Sequence, residues 1–153
     1  MRFFIDVIFL ASFLILGIPV LLVLCLIGKN DKWKYKSDLI ALRIVQWAFK
    51  CMLFVAGTKT TVIGEENVPK DTAVMYVGNH RSYFDIILTY IRVPRPTGYI
   101  SKKEMNYLPL LGVWMRHLHC LFLDRKDIKQ GLKIILEAIE KAKSGISICV
   151  FPE

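Results

Sequence analysis

Two residues in this chain have types and spacing suited to proton transfer: His80, and Asp85 five positions later, in the run Asn79-His80-Arg81-Ser82-Tyr83-Phe84-Asp85. Residues five apart do not share a helical face. The pair meets only if Arg81 to Tyr83 turn sharply and Asp85, in the first turn of a helix, folds back toward the imidazole. An acid on one ring nitrogen fixes the tautomer and leaves the other nitrogen to take a proton from a hydroxyl, which is a general-base arrangement. The same run has a second reading, because Ser82-x-x-Asp85 ahead of an apolar segment is a helix capping box, and His80 is then an ordinary loop residue. No Gly-x-Ser-x-Gly elbow occurs, so nothing points to a serine acyl-enzyme. The four cysteines, Cys25, Cys51, Cys120 and Cys149, form no Cys-x-x-Cys pair, and three lie in apolar runs, as reduced core or membrane thiols do. His117 and His119 beside Cys120 lack a second ligand group, so no metal site is expected.

The elements that must carry these residues read as an α/β layer from Gly57 onward, with short β-branched runs alternating with helical segments. Strands are expected over Lys59–Ile63, Ala73–Gly78, Tyr99–Ser101, Cys120–Leu123 and Ile146–Phe151. Helices are expected over Phe84–Ile91, Leu110–His117 and Asp127–Lys143; the last has Ile128, Leu132, Ile135, Leu136 and Ile139 on one face and Gly145 just past its end. His80 then sits at the carboxyl end of a strand. The fold class is a mixed sheet flanked by helices, behind an amino-terminal hydrophobic two-helix anchor. Residues 1–57 form the anchor and 58–153 the catalytic domain.

The anchor rests on composition and pattern. Mean hydropathy is +0.43, high for a soluble chain. Val7 to Ile27 carries no charge, and as a helix is roughly 31 Å long, which matches a bilayer's hydrocarbon core. The run ends in Cys25-Leu26-Ile27-Gly28-Lys29 rather than a small-residue cleavage site, so it is expected to be retained. Pro19 should kink it near Ile15, giving a bent span or a shallow re-entrant helix. Lys29, Lys32, Lys34 and Lys36 follow the span while only Arg2 precedes it, which places the rest of the chain in the cytoplasm. Asp38 to Ala56 is a second apolar helix with a narrow polar stripe of Arg43, Gln46 and Lys50. It either floats in the bilayer interface on Trp47 and Phe49 or packs on the domain. The net charge of +8 favours a polyanionic partner. No motif of stacking aromatics and basic residues supports nucleic acid.

Asn79-His80-x-x-x-x-Asp85 resembles motif I of the glycerolipid acyltransferase family, typified by the bacterial 1-acylglycerol-3-phosphate acyltransferases. Further matches follow in family order. Lys102-Lys103-Glu104-Met105 with Pro109 and Gly112 resembles the Lys-x-Glu-Leu, Pro and Gly stretch, and Leu121-Phe122-Leu123-Asp124-Arg125 resembles the Phe-Ile-Asp-Arg of motif II. Phe151-Pro152-Glu153 is similar to the opening of motif III, Phe-Pro-Glu-Gly-Thr-Arg. Met105, Leu121 and Leu123 depart conservatively. The Gly-Thr-Arg of motif III is not in the chain, so this is expected to be the amino-terminal part of such an enzyme, with the end of its domain missing.

The resemblance implies transfer of a fatty acyl group from acyl carrier protein or coenzyme A to the sn-2 hydroxyl of lysophosphatidic acid, giving phosphatidic acid at a membrane without a further cofactor. His80 is the expected base and Asp85 its orienter. Lys102 and Arg125 are implied as cations for the acceptor's phosphate, with Glu153 helping to order the site. Read on position alone, Lys102 is a solvated lysine beside Lys103, and Arg125 lies in a surface turn. The alternatives are a related acyltransferase with another acceptor, such as glycerol 3-phosphate or another lysolipid, and a non-catalytic membrane-bound remnant.

Overall fold

A computed structural model describes residues 2–152, which divide into two compact units. One unit holds the chain up to Val68 together with Ser82–Val93, and the other holds Pro69–Arg81 together with Pro94 onward.

The first unit is helical: α1 (Arg2–Leu16), α2 (Ile18–Ile27), α3 (Asp31–Ala56) and α4 (Tyr83–Tyr90). The stretch read as one span is two helices bent by 48° at Gly17. Pro19 has no N–H to offer the Ile15 carbonyl, which is why the chain breaks within a turn of that position. The buried Ser37 hydroxyl donates to the Leu24 carbonyl at 2.9 Å and fastens α2 to α3. Asn30 caps the start of α3, its side chain accepting from the Lys32 N–H at 3.1 Å. Gly57 ends α3 in the left-handed region (φ 71°), where a β-carbon would be disfavoured. By length and composition α3 meets the requirement for crossing a bilayer, and α1 with α2 meets it only as a bent pair.

Of the polar stripe on α3, Arg43 and Lys50 are exposed and Gln46 packs within this unit. Gln46 is only 3% exposed, and its side-chain amide donates to the carbonyls of Tyr90 at 3.0 Å and Val93 at 2.9 Å. Its Oε1 accepts from Arg43 at 2.8 Å. Two buried carbonyls at the end of α4 are thereby satisfied by one side chain of α3.

The second unit is a layered α/β structure of β1 (Met75–Val77), β2 (Thr97–Lys102), β3 (Leu121–Leu123) and β4 (Ser147–Val150) with α5 (Leu111–His117) and α6 (Ile128–Lys143). The strand order is β1-β4-β2-β3. Every pairing is parallel: Val77 opposite Val150, Tyr99 opposite Cys149, Lys102 opposite Leu123. The expected α/β layering is present, but its described strands are parallel throughout rather than mixed. Parallel pairing sends all four carboxyl ends to one edge of the sheet.

Two expectations are corrected. Lys59–Ile63 forms no strand but runs as exposed irregular chain; β-branched composition without a neighbouring strand leaves the ladder unmade. On α6 the residues that face the sheet are Ile134 and Ala138, packed with Leu121, Ile148, Ile100 and Leu123. The stripe read from periodicity is largely exposed, from Ile139 at 45% to Ile128 at 89%. The apolar arc of α6 is wider than the strip of it that meets the sheet.

Candidate active site

β1 stops at Val77, and the chain continues through Gly78 and Asn79 to His80 at the carboxyl edge of the sheet. The imidazole is half-buried, with Nδ1 shielded from solvent. It stacks on the Phe151 ring, centroids 4.8 Å apart and planes 27° from parallel. Phe151 follows β4, the immediate neighbour of β1, so strand order alone brings motif I and motif III together.

The other predicted residues of this unit lie at the same edge. Lys102 is the last residue of β2, and its side chain is exposed. Arg125 is exposed in the turn between β3 and α6. That turn is held by Gln130, whose Oε1 accepts from the Asp124 N–H at 2.9 Å while its Nε2 donates to the Phe122 carbonyl at 2.8 Å. Gln130 stands three residues after Asp127, the cap of α6, whose carboxylate accepts from the Gln130 N–H at 3.0 Å. A capping-box pattern in the sequence signals it, although its part in fixing motif II does not follow from that pattern.

Of the two adjacent lysines, Lys103 is the one engaged by motif II. Its Nζ lies 3.1 Å from Asp124 Oδ2. The Lys126 backbone N–H, which donates to Asp124 Oδ1 at 2.9 Å, holds this carboxyl below its ordinary range, and the Lys103 ammonium adds to the effect. The same bond to Asp124 raises Lys103. The charge-assisted pair ties the residue after β2 to the residue after β3 and leaves Lys102 without an ion pair among the described residues. Gly112, in the Pro-Gly stretch, is required because a β-carbon there would strike the Asn106 carbonyl.

Asp85 belongs to the helical unit, and the boundary between units runs between Arg81 and Ser82, through the middle of motif I. Within its unit Asp85 closes a capping box on α4. Its Oδ2 accepts from the Ser82 N–H at 2.8 Å, and the Ser82 hydroxyl accepts from the Phe84 N–H at 3.2 Å. The structural reading of Ser82-x-x-Asp85 is thus realised. Glu153 lies outside the described residues.

The family model for acyltransferases matches residues 59–153. The chain belongs to the acyltransferase family. The crystal structure of the 1-acyl-sn-glycerophosphate (LPA) acyltransferase PlsC from Thermotoga maritima superposes over the whole of this chain and 62% of its own, with a TM-score of 0.75 and 25% identity. The 1-acyl-sn-glycerol-3-phosphate acyltransferase of Borreliella burgdorferi is 29% identical over 68% of this chain and 42% of its own length. The enzyme of that name from Saccharomyces cerevisiae is 32% identical over 86% of this chain and 41% of its own. The chain therefore spans about two fifths of these curated relatives.

Proposed function

We propose that this protein moves a fatty acyl group from an acyl carrier protein or coenzyme A thioester to the sn-2 hydroxyl of 1-acylglycerol 3-phosphate, forming phosphatidic acid. The observation that carries the reading is the gathering of motif residues from four strands at one edge of a parallel sheet, in a family whose relatives are named for this reaction.

In this reading His80 takes the proton of the acceptor hydroxyl as its oxygen attacks the thioester carbonyl. The tetrahedral intermediate then expels the thiolate, which recovers the proton from the imidazolium. Asp85 orients the ring. A carboxylate accepts through two oxygens, so the cap on α4 and the orientation of an imidazole are compatible duties. Lys102, Arg125 and Glu153 are assigned to the acceptor's phosphate, the two cations by charge and Glu153 by ordering them. General-base assistance contributes about 10² to 10⁴ in rate, and holding two substrates in register supplies much of the remainder. No cofactor beyond the thioester donor is needed.

Residues 1–57 anchor the protein and residues 58–153 belong to the transferase domain in this reading. Lys29, Lys32, Lys34 and Lys36, which follow the apolar stretch of α1 and α2, favour the cytoplasmic face of the cell membrane for that domain, where its lipid substrate and product reside. The test is His80→Ala in the full-length protein, assayed with lysophosphatidic acid and either thioester. A loss of 10²-fold or more is expected, and activity within a few-fold of wild type overturns the assignment. Competition by glycerol 3-phosphate or lysophosphatidylcholine identifies the acceptor.

A further inference from the structure

We infer that Phe151 is a positioning residue for the His80 imidazole. This rests on the reading of His80 as the base.

The strands create the arrangement. β1 and β4 are adjacent and in register at Val77 and Val150, so one residue further on Gly78 faces Phe151. The Gly78 N–H donates to the Val150 carbonyl at 3.3 Å, which holds the two chains together past the ends of the strands. A β-carbon on Gly78 would lie 3.3 Å from Phe151 Cε1, tighter than ordinary packing. The bare glycine leaves room for the phenyl ring to cover the chain there and meet the imidazole two residues later. Behind it stands Tyr99, buried on β2, whose ring centroid lies 6.1 Å from that of Phe151 at 45°. The Phe151 ring is therefore held between a core aromatic and the imidazole.

A base must keep its plane through a proton transfer, because a rotated ring aims its lone pair away from the hydroxyl. Hydrogen bonds to an imidazole lie in the ring plane, whereas stacking engages only the face. The Phe151 contact can thus fix the plane without competing for either nitrogen. When the proton arrives, the aromatic face also favours the cation formed. Any large apolar residue could fill the space, but only a flat ring restrains the plane. The inference therefore predicts a difference between Leu and Tyr at position 151.

Phe151→Leu, Phe151→Tyr and Gly78→Ala are to be made in the full-length protein, with kcat and KM measured for the acyl acceptor and the His80 ring protons followed by NMR. Phe151→Leu should lower kcat roughly 10- to 100-fold with KM within about two-fold, as expected when a group acts only in the transition state. The upfield ring-current shift of the His80 protons should be lost. Phe151→Tyr should restore most of kcat and of that shift, and Gly78→Ala, which pushes the phenyl away, should resemble Phe151→Leu in milder form. Equal kcat for Phe151→Leu and wild type overturns the inference, as does a Tyr variant as slow as Leu. If Phe151→Leu does not fold, Gly78→Ala and the ring-current shift in the wild type decide the matter by the same criteria. His80→Ala separates the two readings: if it retains activity the base assignment fails, whereas if it abolishes activity and Phe151→Leu does not, only the positioning role fails.

Discussion

Asp85 closes the cap on α4 and is proposed to orient the His80 base, and a pair of substitutions can separate the two duties. Ser82→Ala removes the hydroxyl that accepts from the Phe84 N–H at 3.2 Å but leaves the Ser82 backbone N–H on Asp85 Oδ2 at 2.8 Å. Loss of such a cap costs about 1 kcal/mol, within a range of roughly 0.5 to 2. α4 runs only from Tyr83 to Tyr90, so the cost falls on a helix with little other local stability. Asp85→Asn has the opposite profile. The amide keeps an oxygen to accept from the Ser82 N–H, so stability should stay within about 1 kcal/mol of wild type. It removes the charge that would support an imidazolium and permits the wrong imidazole tautomer, a loss on the order of 10²- to 10⁴-fold in kcat. Urea denaturation followed by circular dichroism, beside transferase assays of both full-length variants, reads the two effects separately. The expected pattern is an unstable but active Ser82→Ala and a stable but inactive Asp85→Asn. An Asp85→Asn enzyme within a few-fold of wild type would show that the carboxylate serves the helix alone.

Gln46→Leu should leave the Tyr90 and Val93 carbonyls without their side-chain donor, costing roughly 2–5 kcal/mol; hydrogen exchange in α4 should accelerate, and an unchanged rate contradicts the clamp. Burial pushes the Cys149 thiol from its ordinary value of 9.0 up to about 11, so the unfolded chain releases that proton first. The contribution is intact below pH 9 and declines by roughly 2–3 kcal/mol toward pH 11; the difference in denaturation midpoint between wild type and Cys149→Val should therefore depend on pH in that window and be flat below it. Gly112→Ala forces a β-carbon onto the Asn106 carbonyl and should cost roughly 1–3 kcal/mol by urea titration, and a neutral result would mean that the loop yields.

Much was legible from the chain alone because it is encoded locally. The motif order, the ends of α5 and α6, and the places of Gly57 and Gly145 just past a helix follow from spacing and from the conformations that single residues permit, and both glycines take the left-handed conformation there. Pro19 announced a break near Ile15, and it falls two residues on at Gly17, because a missing N–H is a property of one residue. Other features were decided only by distant partners. Lys59–Ile63 has strand composition but no strand to pair with. α6 offers a wide apolar arc, and the sheet selects Ile134 and Ala138 from it. Gln46 reads only as part of a narrow polar stripe until the end of α4 presents two carbonyls to it. The order β1-β4-β2-β3 brings Phe151 onto His80 across about seventy residues of chain, and no periodicity records which strand pairs with which. Pairing between remote segments is settled by the loop-closure cost and the shared burial of the assembled sheet, and those quantities exist only once the whole unit has folded.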